Sequence, residues 1–148
     1  LWQTYSPGGN WSATAPGMQP KCRGCTVDKF AGTSYLLCDG PKDRASAQAD
    51  CRSHGGDLAT VNDVFGNSFL RGMAPSAGTA LVGLNDLAET GKYVWATGKA
   101  ATYLNWAPGQ PDHYLNSEHC VQLTDGRTLT QWNDISCASP LPYLCQLP

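Results

Sequence analysis

The residues that decide the fold are Gln110-Pro111-Asp112-His113-Tyr114-Leu115-Asn116-Ser117-Glu118, followed after a gap by Trp132-Asn133-Asp134. Five of these side chains offer oxygen as their ligand atom: Gln110, Asp112, Glu118, Asn133 and Asp134. A hard cation such as Ca²⁺ binds roughly six to eight oxygens from carboxylates, amides, backbone carbonyls and water. The two segments therefore predict a calcium site, if the fold brings them together.

The charge of these residues supports the same prediction. Asp112, Glu118 and Asp134 bring three negative charges, while the whole chain has a formal net charge of −2 at pH 7. Gathered without a cation, the three carboxylates would repel one another, so that a raised carboxyl pKa or an opened loop would be expected. The alternative interpretation is that they are separate surface carboxylates that never meet.

The first acidic segment lies in a long connection between Trp95 and Cys120 that is rich in Gly, Pro and Asn. Loops of this length are uncommon in a compact domain and are usually functional or disordered. Tyr103 and Trp106 favour a loop that is pinned to the domain. We therefore interpret it as a functional loop.

Around this loop the pattern predicts two helices and several short strands. Residues 43–54 read as a helix that ends at Gly55-Gly56 and has Ala47 and Cys51 four residues apart on one face. A second helix is capped by Asn62 and extends to about residue 72, with one apolar side made of Phe65, Phe69 and Met73. The predicted strands are residues 34–38, 80–84, 92–96, 120–123, 129–132 and 143–146.

Length and charge limit the classes of protein that the chain could be. A chain of 148 residues predicts one domain, which we place at residues 25–148 after an irregular arm at residues 1–24. The arm lacks the features of a signal peptide, and Asn10-Trp11-Ser12 matches a glycosylation acceptor. The scattered basic residues argue against nucleic acid as a partner, and no apolar run is long enough for membrane insertion.

The seven cysteines predict disulfide bonds and hence secretion to the extracellular space. A zinc site is the alternative, because Cys22-Arg-Gly-Cys25 has a two-residue gap, but no second ligand pair has a matching spacing. The odd count leaves one thiol that is either free or available to bridge two chains, which predicts a possible homo-oligomer.

Several motifs together resemble those of the C-type lectins, from about residue 25 to residue 145. Leu81-Val82-Gly83-Leu84 is similar to the family's Trp-Ile-Gly-Leu strand, Asn105-Trp106 precedes Gln110-Pro111-Asp112 as in its long loop, and Trp132-Asn133-Asp134 is its Trp-Asn-Asp. The resemblance implies an α+β, C-type lectin-like fold in which two helices flank small antiparallel sheets and a long calcium-binding loop. It also implies disulfides Cys51–Cys145 and Cys120–Cys137, with Cys38 bonded to Cys25 or Cys22.

Carried over position by position, the resemblance makes the five oxygen ligands above the principal Ca²⁺ site and Pro111 a cis proline. Two neighbouring sugar hydroxyls would complete the ion's shell and contact Gln110, Asp112, Glu118 and Asn133. Gln110 before Asp112 reverses the Glu-Pro-Asn order of the family's mannose binders, which implies galactose or N-acetylgalactosamine and hence galactose-containing glycans as partners. Tyr114 would stack on the sugar, unless it is an ordinary loop aromatic. His113 would either hydrogen-bond to the sugar or merely be exposed.

The match to the family weakens at its auxiliary calcium site. Asp86 and Glu89 stand where acids are needed, but His119 replaces the usual Asp. We therefore expect one functional Ca²⁺, with a second only weakly held, and we expect His119 to pack or cap locally.

Two other classes of function are compatible with such a fold or with isolated residues. A module that binds a protein or an ice surface could use the same fold, since fold alone does not determine function, but the five retained oxygen ligands favour sugar. A hydrolase would need an acid–base pair or a nucleophile with an oriented His. Neither His54, beside glycines, nor Ser117 with His119 meets that requirement, so we predict that the chain is not an enzyme.

Overall fold

The computed structural model of the chain describes residues 21–22, 24–74, 79–123 and 131–148. Nearly all of the predicted N-terminal arm, its acceptor triplet at Asn10, and residues 129–130 of one predicted strand lie outside the described residues. Within these ranges, no helix is both long enough and apolar enough to span a bilayer.

The described residues form two α-helices, one short 3₁₀ helix at Tyr114–Asn116 and one sheet of eight strands. The helices are α1 (Arg44–Ser53) and α2 (Val64–Met73); the strands are β1 (Lys21–Cys22), β2 (Cys25–Phe30), β3 (Thr33–Lys42), β4 (Asp57–Leu58), β5 (Leu81–Asn85), β6 (Glu118–Gln122), β7 (Asn133–Ser136) and β8 (Leu141–Gln146). The strand order is β1-β2-β3-β8-β5-β6-β7, with β4 also paired to β8. The expected small antiparallel sheets are thus joined in one mixed sheet, because β8 pairs with β3 on one side and runs parallel to β5 on the other.

Both predicted helices are present, and each begins at an aspartate. The Asp43 carboxylate accepts the Ser46 backbone N–H at 2.9 Å, and Ala47 and Cys51 lie on one face, as predicted, and are buried there. The prediction of Asn62 as the second cap is wrong, because the Asp63 carboxylate accepts the Gly66 N–H at 2.8 Å.

The apolar side predicted for α2 is only partly correct. Phe69 and Met73 pack against the core, but Phe65 is 72% exposed. The helix instead buries Asn67 and Leu70, and the Asn67 amide oxygen accepts the Trp132 indole N–H at 2.7 Å. The buried face of α2 therefore includes a polar contact with Trp132, and Phe65 lies outside that face.

The predicted strands at residues 34–38, 80–84, 120–123 and 143–146 are confirmed by β3, β5, β6 and β8. The strand predicted at residues 92–96 is wrong, since Val94 forms only isolated bridges, one with Asn85 and one with Ala100. The chain turns back at once, because Trp95 and Lys99 are joined by a backbone hydrogen bond of 2.9 Å. Residues 21–22, which we assigned to the irregular arm, form β1 and pair with β2.

Three disulfides connect the elements around the core. Cys51–Cys145 joins α1 to β8, Cys120–Cys137 joins β6 to the segment after β7, and Cys25–Cys38 joins β2 to β3. The two long-range pairings implied by the resemblance are confirmed, and the partner of Cys38 is Cys25. Because Cys25 is in a disulfide, Cys22-Arg-Gly-Cys25 is not a zinc ligand pair, and Cys22 remains as the seventh cysteine.

Candidate metal centre

The two acidic segments meet because the base of the long loop is hydrogen-bonded to the segment that precedes β7. Trp132 donates its backbone N–H to the Asn105 carbonyl at 2.8 Å and accepts the Ala107 N–H at 2.9 Å. The rings of Trp106 and Trp132 pack edge to face, with centroids 6.0 Å apart. The prediction that the loop is pinned to the domain is confirmed, and the pinned base lies beside Asn133 and Asp134.

The carboxylates of Asp112, Glu118 and Asp134 form one cluster, in which an oxygen of each lies within 4.8 Å of an oxygen of the others. The alternative, that these acids never meet, is therefore wrong. Asp134 is fully buried and accepts the backbone N–H groups of Asp112 at 3.1 Å and His113 at 2.8 Å. Glu118 accepts the Tyr114 N–H at 3.2 Å. Loop backbone donors thus hold two of the acids in place.

Bringing three acids together changes their proton affinities. Burial, the hydrogen bond to Asp112 and the charges of Asp134 and Asp112 raise the pKa of Glu118 to about 7. Burial also raises the pKa of Asp134, although backbone donors partly offset this. The hydrogen bond from the Glu118 carboxyl lowers the pKa of Asp112. Near neutral pH, Glu118 therefore takes up a proton while Asp112 stays ionised, and a dication would relieve the same repulsion.

The amide oxygens complete an all-oxygen donor set. The Gln110–Pro111 peptide bond is cis, as the resemblance implies. Gln110 Oε1 is buried and accepts no hydrogen bond from the described residues, which is unusual for a buried polar atom and leaves it available as a ligand. Asn133 is partly buried at the start of β7. Carboxylate and amide oxygens fit a hard cation such as Ca²⁺ better than zinc, which prefers N and S ligands.

Of the other side chains in this loop, Tyr114 and Leu115 face solvent, whereas His113 faces the interior. Tyr114 is 62% exposed and Leu115 78% exposed, beside the acidic cluster. The His113 ring turns inward, and its Nε2 lies 3.0 Å from Asp86 Oδ2 and 3.1 Å from the Tyr93 hydroxyl. His113, Leu115 and Asn116 adopt positive φ angles of 48°, 56° and 55°, so this loop follows a backbone path that non-glycine residues rarely take.

The residues expected at an auxiliary calcium site are in different surroundings. Asp86 has a fully buried side chain, and its Oδ1 lies 3.0 Å from His119 Nδ1. Glu89 is exposed and pairs with Lys92 at 3.3 Å. The sequence drew attention to Asp86 and His119 but did not show that they contact each other, or that Tyr93 and His113 join them. The available signal was that a His follows each of two predicted ligands, Asp112 and Glu118.

The residues considered for hydrolysis are not arranged for it. The Ser117 hydroxyl donates to the Tyr114 carbonyl at 3.1 Å, whereas the His119 ring contacts Asp86. His54, the residue that follows α1, lies 3.7 Å from Asp50, which is one helical turn earlier in the chain. Neither histidine is placed to activate a nucleophile by these contacts.

The amino-acid sequence of this chain is similar to a known domain family and to characterised proteins. The family model described as the lectin C-type domain matches residues 41–147. Perlucin from Haliotis laevigata is 34% identical over 105 residues, which cover 69% of this chain and 68% of perlucin. The alpha-N-acetylgalactosamine-specific lectin from Patiria pectinifera is 32% identical over 129 residues, which cover 80% of this chain and 76% of that lectin.

Among solved structures, a Ca²⁺-dependent type II antifreeze protein in its Ca²⁺-free form has a TM-score of 0.76 at 25% identity. The alignment covers 82% of this chain and 97% of that chain. Proteins with different binding partners therefore share this architecture, so the binding partner of this chain has to be inferred from its site.

Proposed function

This chain belongs to the C-type lectin domain family, and on that premise we propose that it is a calcium-dependent, carbohydrate-binding lectin that prefers galactose or N-acetylgalactosamine. The observation that carries the proposal is the cluster of Asp112, Glu118 and Asp134, whose carboxylate oxygens lie within 4.8 Å of one another. The family is generally non-enzymatic, and we propose binding without catalysis.

The residues that would hold the ion are Gln110, Asp112, Glu118, Asn133 and Asp134. When bound, Ca²⁺ would neutralise the carboxylates and offer open coordination positions to two neighbouring sugar hydroxyls. The amide groups of Gln110 and Asn133 are hydrogen-bond donors to hydroxyl oxygens, and the carboxylates of Asp112 and Glu118 are acceptors for hydroxyl protons. The protein thus offers donors and acceptors in pairs, as vicinal hydroxyls require.

The preference for galactose-type sugars rests on the order of Gln110 and Asp112 and on Tyr114. The amide before the acid is the order that the family resemblance associates with galactose, and the relative from Patiria pectinifera is named for N-acetylgalactosamine. The exposed Tyr114 ring offers an apolar surface for the C–H face of galactose. Because Asp86 and Tyr93 occupy Nε2 of His113, a hydrogen bond from that ring to sugar would use Nδ1.

The test is retention on immobilised galactose in calcium, followed by elution with a chelator, free galactose or free mannose. We expect release by chelator and by galactose but not by mannose. A double variant, Gln110→Glu with Asp112→Asn, reverses donor and acceptor and should transfer retention to a mannose resin. Calcium binding without retention on either resin would contradict the proposal and favour the protein- or ice-binding alternative, which inhibition of ice recrystallisation would then test.

The same proposal includes secretion and multivalent binding. Three disulfides are typical of an oxidising, extracellular environment. A shallow site for one monosaccharide binds weakly, so several linked sites would be needed for avidity. We propose that Cys22, the seventh cysteine, links chains in a homo-oligomer. Non-reducing electrophoresis that shows only monomer would contradict this link.

A further inference from the structure

Four side chains form a hydrogen-bonded network behind the acidic cluster: Tyr93, His113, Asp86 and His119, which we call the Asp86 network. The Tyr93 hydroxyl lies 3.1 Å from His113 Nε2, which lies 3.0 Å from Asp86 Oδ2. The other oxygen of the same carboxylate, Oδ1, lies 3.0 Å from His119 Nδ1. One carboxylate therefore joins two histidines that are distant from it in the sequence.

Asp86 is well suited to hold these histidines in fixed positions. Its side chain is fully buried, and Oδ2 also accepts the Gly91 backbone N–H at 2.8 Å. Its own backbone N–H donates to the His119 carbonyl at 3.1 Å, so Asp86 contacts His119 through both backbone and side chain. A buried carboxylate whose oxygens are all hydrogen-bonded is stiff, because any movement leaves a donor or an acceptor unpaired.

The two histidines transmit this constraint to the acidic cluster. His113 directly follows Asp112, and His119 directly follows Glu118. Successive Cα atoms are about 3.8 Å apart, so fixing a histidine also restricts the neighbouring acid. Like-charged acids would otherwise separate when no ion balances them.

We propose that Asp86 is a positioning residue, which clamps His113 and His119 and thereby holds Asp112 and Glu118 at ion-binding separation before an ion binds. The inference rests on the proposed function and deepens it. Asp86 acts here as a hydrogen-bond acceptor for histidines and not as a ligand of a second ion. Glu89, the other acid expected at such a site, is exposed and pairs with Lys92.

The first experiment is a calorimetric calcium titration of the whole chain, its Asp86→Asn variant and its Asp28→Asn variant. Asp28 is exposed on β2, so it is a matched control for the loss of one carboxylate charge. We expect one ion per chain in all three proteins, about 10- to 100-fold weaker binding in Asp86→Asn, and unchanged affinity in Asp28→Asn.

The outcomes separate this inference from the proposed function. Unchanged calcium affinity in Asp86→Asn, even with a lower melting temperature, would overturn the positioning role while leaving the calcium site intact. Two ions in the wild-type chain, one of which is lost in Asp86→Asn, would make Asp86 a ligand and would also overturn it. A wild-type chain that binds no calcium would overturn the proposed function and this inference together.

A second measurement does not depend on the folding of that variant. Long-range ¹H–¹⁵N correlation spectra of the calcium-free wild-type chain report which ring nitrogens carry protons. We expect a proton on Nε2 of His113 and on Nδ1 of His119, since these atoms face the carboxylate. A His119 ring protonated at Nε2 alone would overturn the network.

Discussion

Two regions of this molecule are stabilised by different forces. The stapled half consists of α1, β3, β4 and β8, where buried apolar side chains such as Leu36 and Leu58 cluster with the Cys51–Cys145 bond. The acidic half consists of the long loop with β6 and β7, where Asp112, Glu118 and Asp134 are gathered by backbone N–H donors. The first half is held by burial and a covalent bond, whereas the second has to hold like charges together.

Calcium concentration and pH should therefore act on one half of the protein and not on the other. Apolar burial and disulfides do not depend on calcium or on pH near neutrality. A cluster of carboxylates depends on both, because protons and cations compete for the same oxygens. Variants and solution conditions that act on one half alone should therefore leave the other half unchanged.

The Cys51→Ala, Cys145→Ala double variant should lose the most free energy of unfolding. The bond spans 94 residues in sequence, and closing such a loop stabilises by about 4 to 5 kcal/mol on the chain-entropy model. Urea unfolding in calcium and in chelator should show the same loss. A loss that disappears in calcium would show that the two halves are energetically coupled.

The Glu118→Gln variant should bind calcium at least about 100-fold more weakly. The loss is larger than for Asp86→Asn, because Glu118 is a charged ligand of the proposed ion and Asp86 only positions ligands. The calcium-free protein should be at least as stable as the wild type, because one of three clustered charges is removed. Calorimetry measures the calcium affinity, and thermal unfolding in chelator measures the stability of the calcium-free protein. Asp39→Asn, an exposed acid of the stapled half, is the control and should change neither quantity.

Calcium affinity should fall by about tenfold per pH unit as the pH drops below about 7, where Glu118 takes up a proton. The stability of the calcium-free protein should change with pH in the opposite direction. Because the pKa of Glu118 is raised on folding, its contribution to stability is fully present below about 4.5 and is lost as the pH rises to about 7. Thermal unfolding in chelator at pH 5 and pH 8 checks this sign. Equal pH dependence in Glu118→Gln would assign the effect to another group.

Tyr114→Ala should lower galactose affinity by only about fivefold, since the contact of one aromatic ring contributes about 1 kcal/mol. Calcium affinity should not change, because the Tyr114 side chain is exposed and is not a ligand. Tyr114→Phe should behave as wild type, and Leu115→Ala, its exposed neighbour, is the control. Glycan titration by calorimetry measures the effect, and equal losses in Tyr114→Ala and Leu115→Ala would argue against stacking.

Local signals in the sequence were sufficient for much of the fold. Asp43 and Gly55-Gly56 mark the ends of α1, because capping and termination depend on neighbours within one turn. The choice between Asn62 and Asp63 as the cap of α2 depends on which residue has extended backbone geometry, which the composition does not reveal. The buried face of α2 includes the contact between Asn67 and Trp132, which are 65 positions apart, so the pattern within the helix does not reveal it.

The candidate site shows the same division between local and long-range information. Gln110-Pro111-Asp112 and Trp132-Asn133-Asp134 are compact patterns that identify the acidic residues directly. The Asp86 network was not predictable in this way, because its contacts join residues 27 and 33 positions apart. The pairing of β5 with β8 is also long-range, and alternating hydrophobicity in either strand does not specify it.

The central position of β8 determines the order in which the chain can fold during synthesis. β8 is translated after the other described strands, yet β3, β4 and β5 all pair with it. At about 5 to 20 residues per second, the 94 positions between Cys51 and Cys145 take about 5 to 20 s to translate. During that interval Cys51 is a thiol without its native partner, while Cys25 and Cys38 are already available to bond with each other. The middle of the sheet therefore closes late, and the nascent chain has to avoid mispairing of Cys51 until β8 emerges from the ribosome.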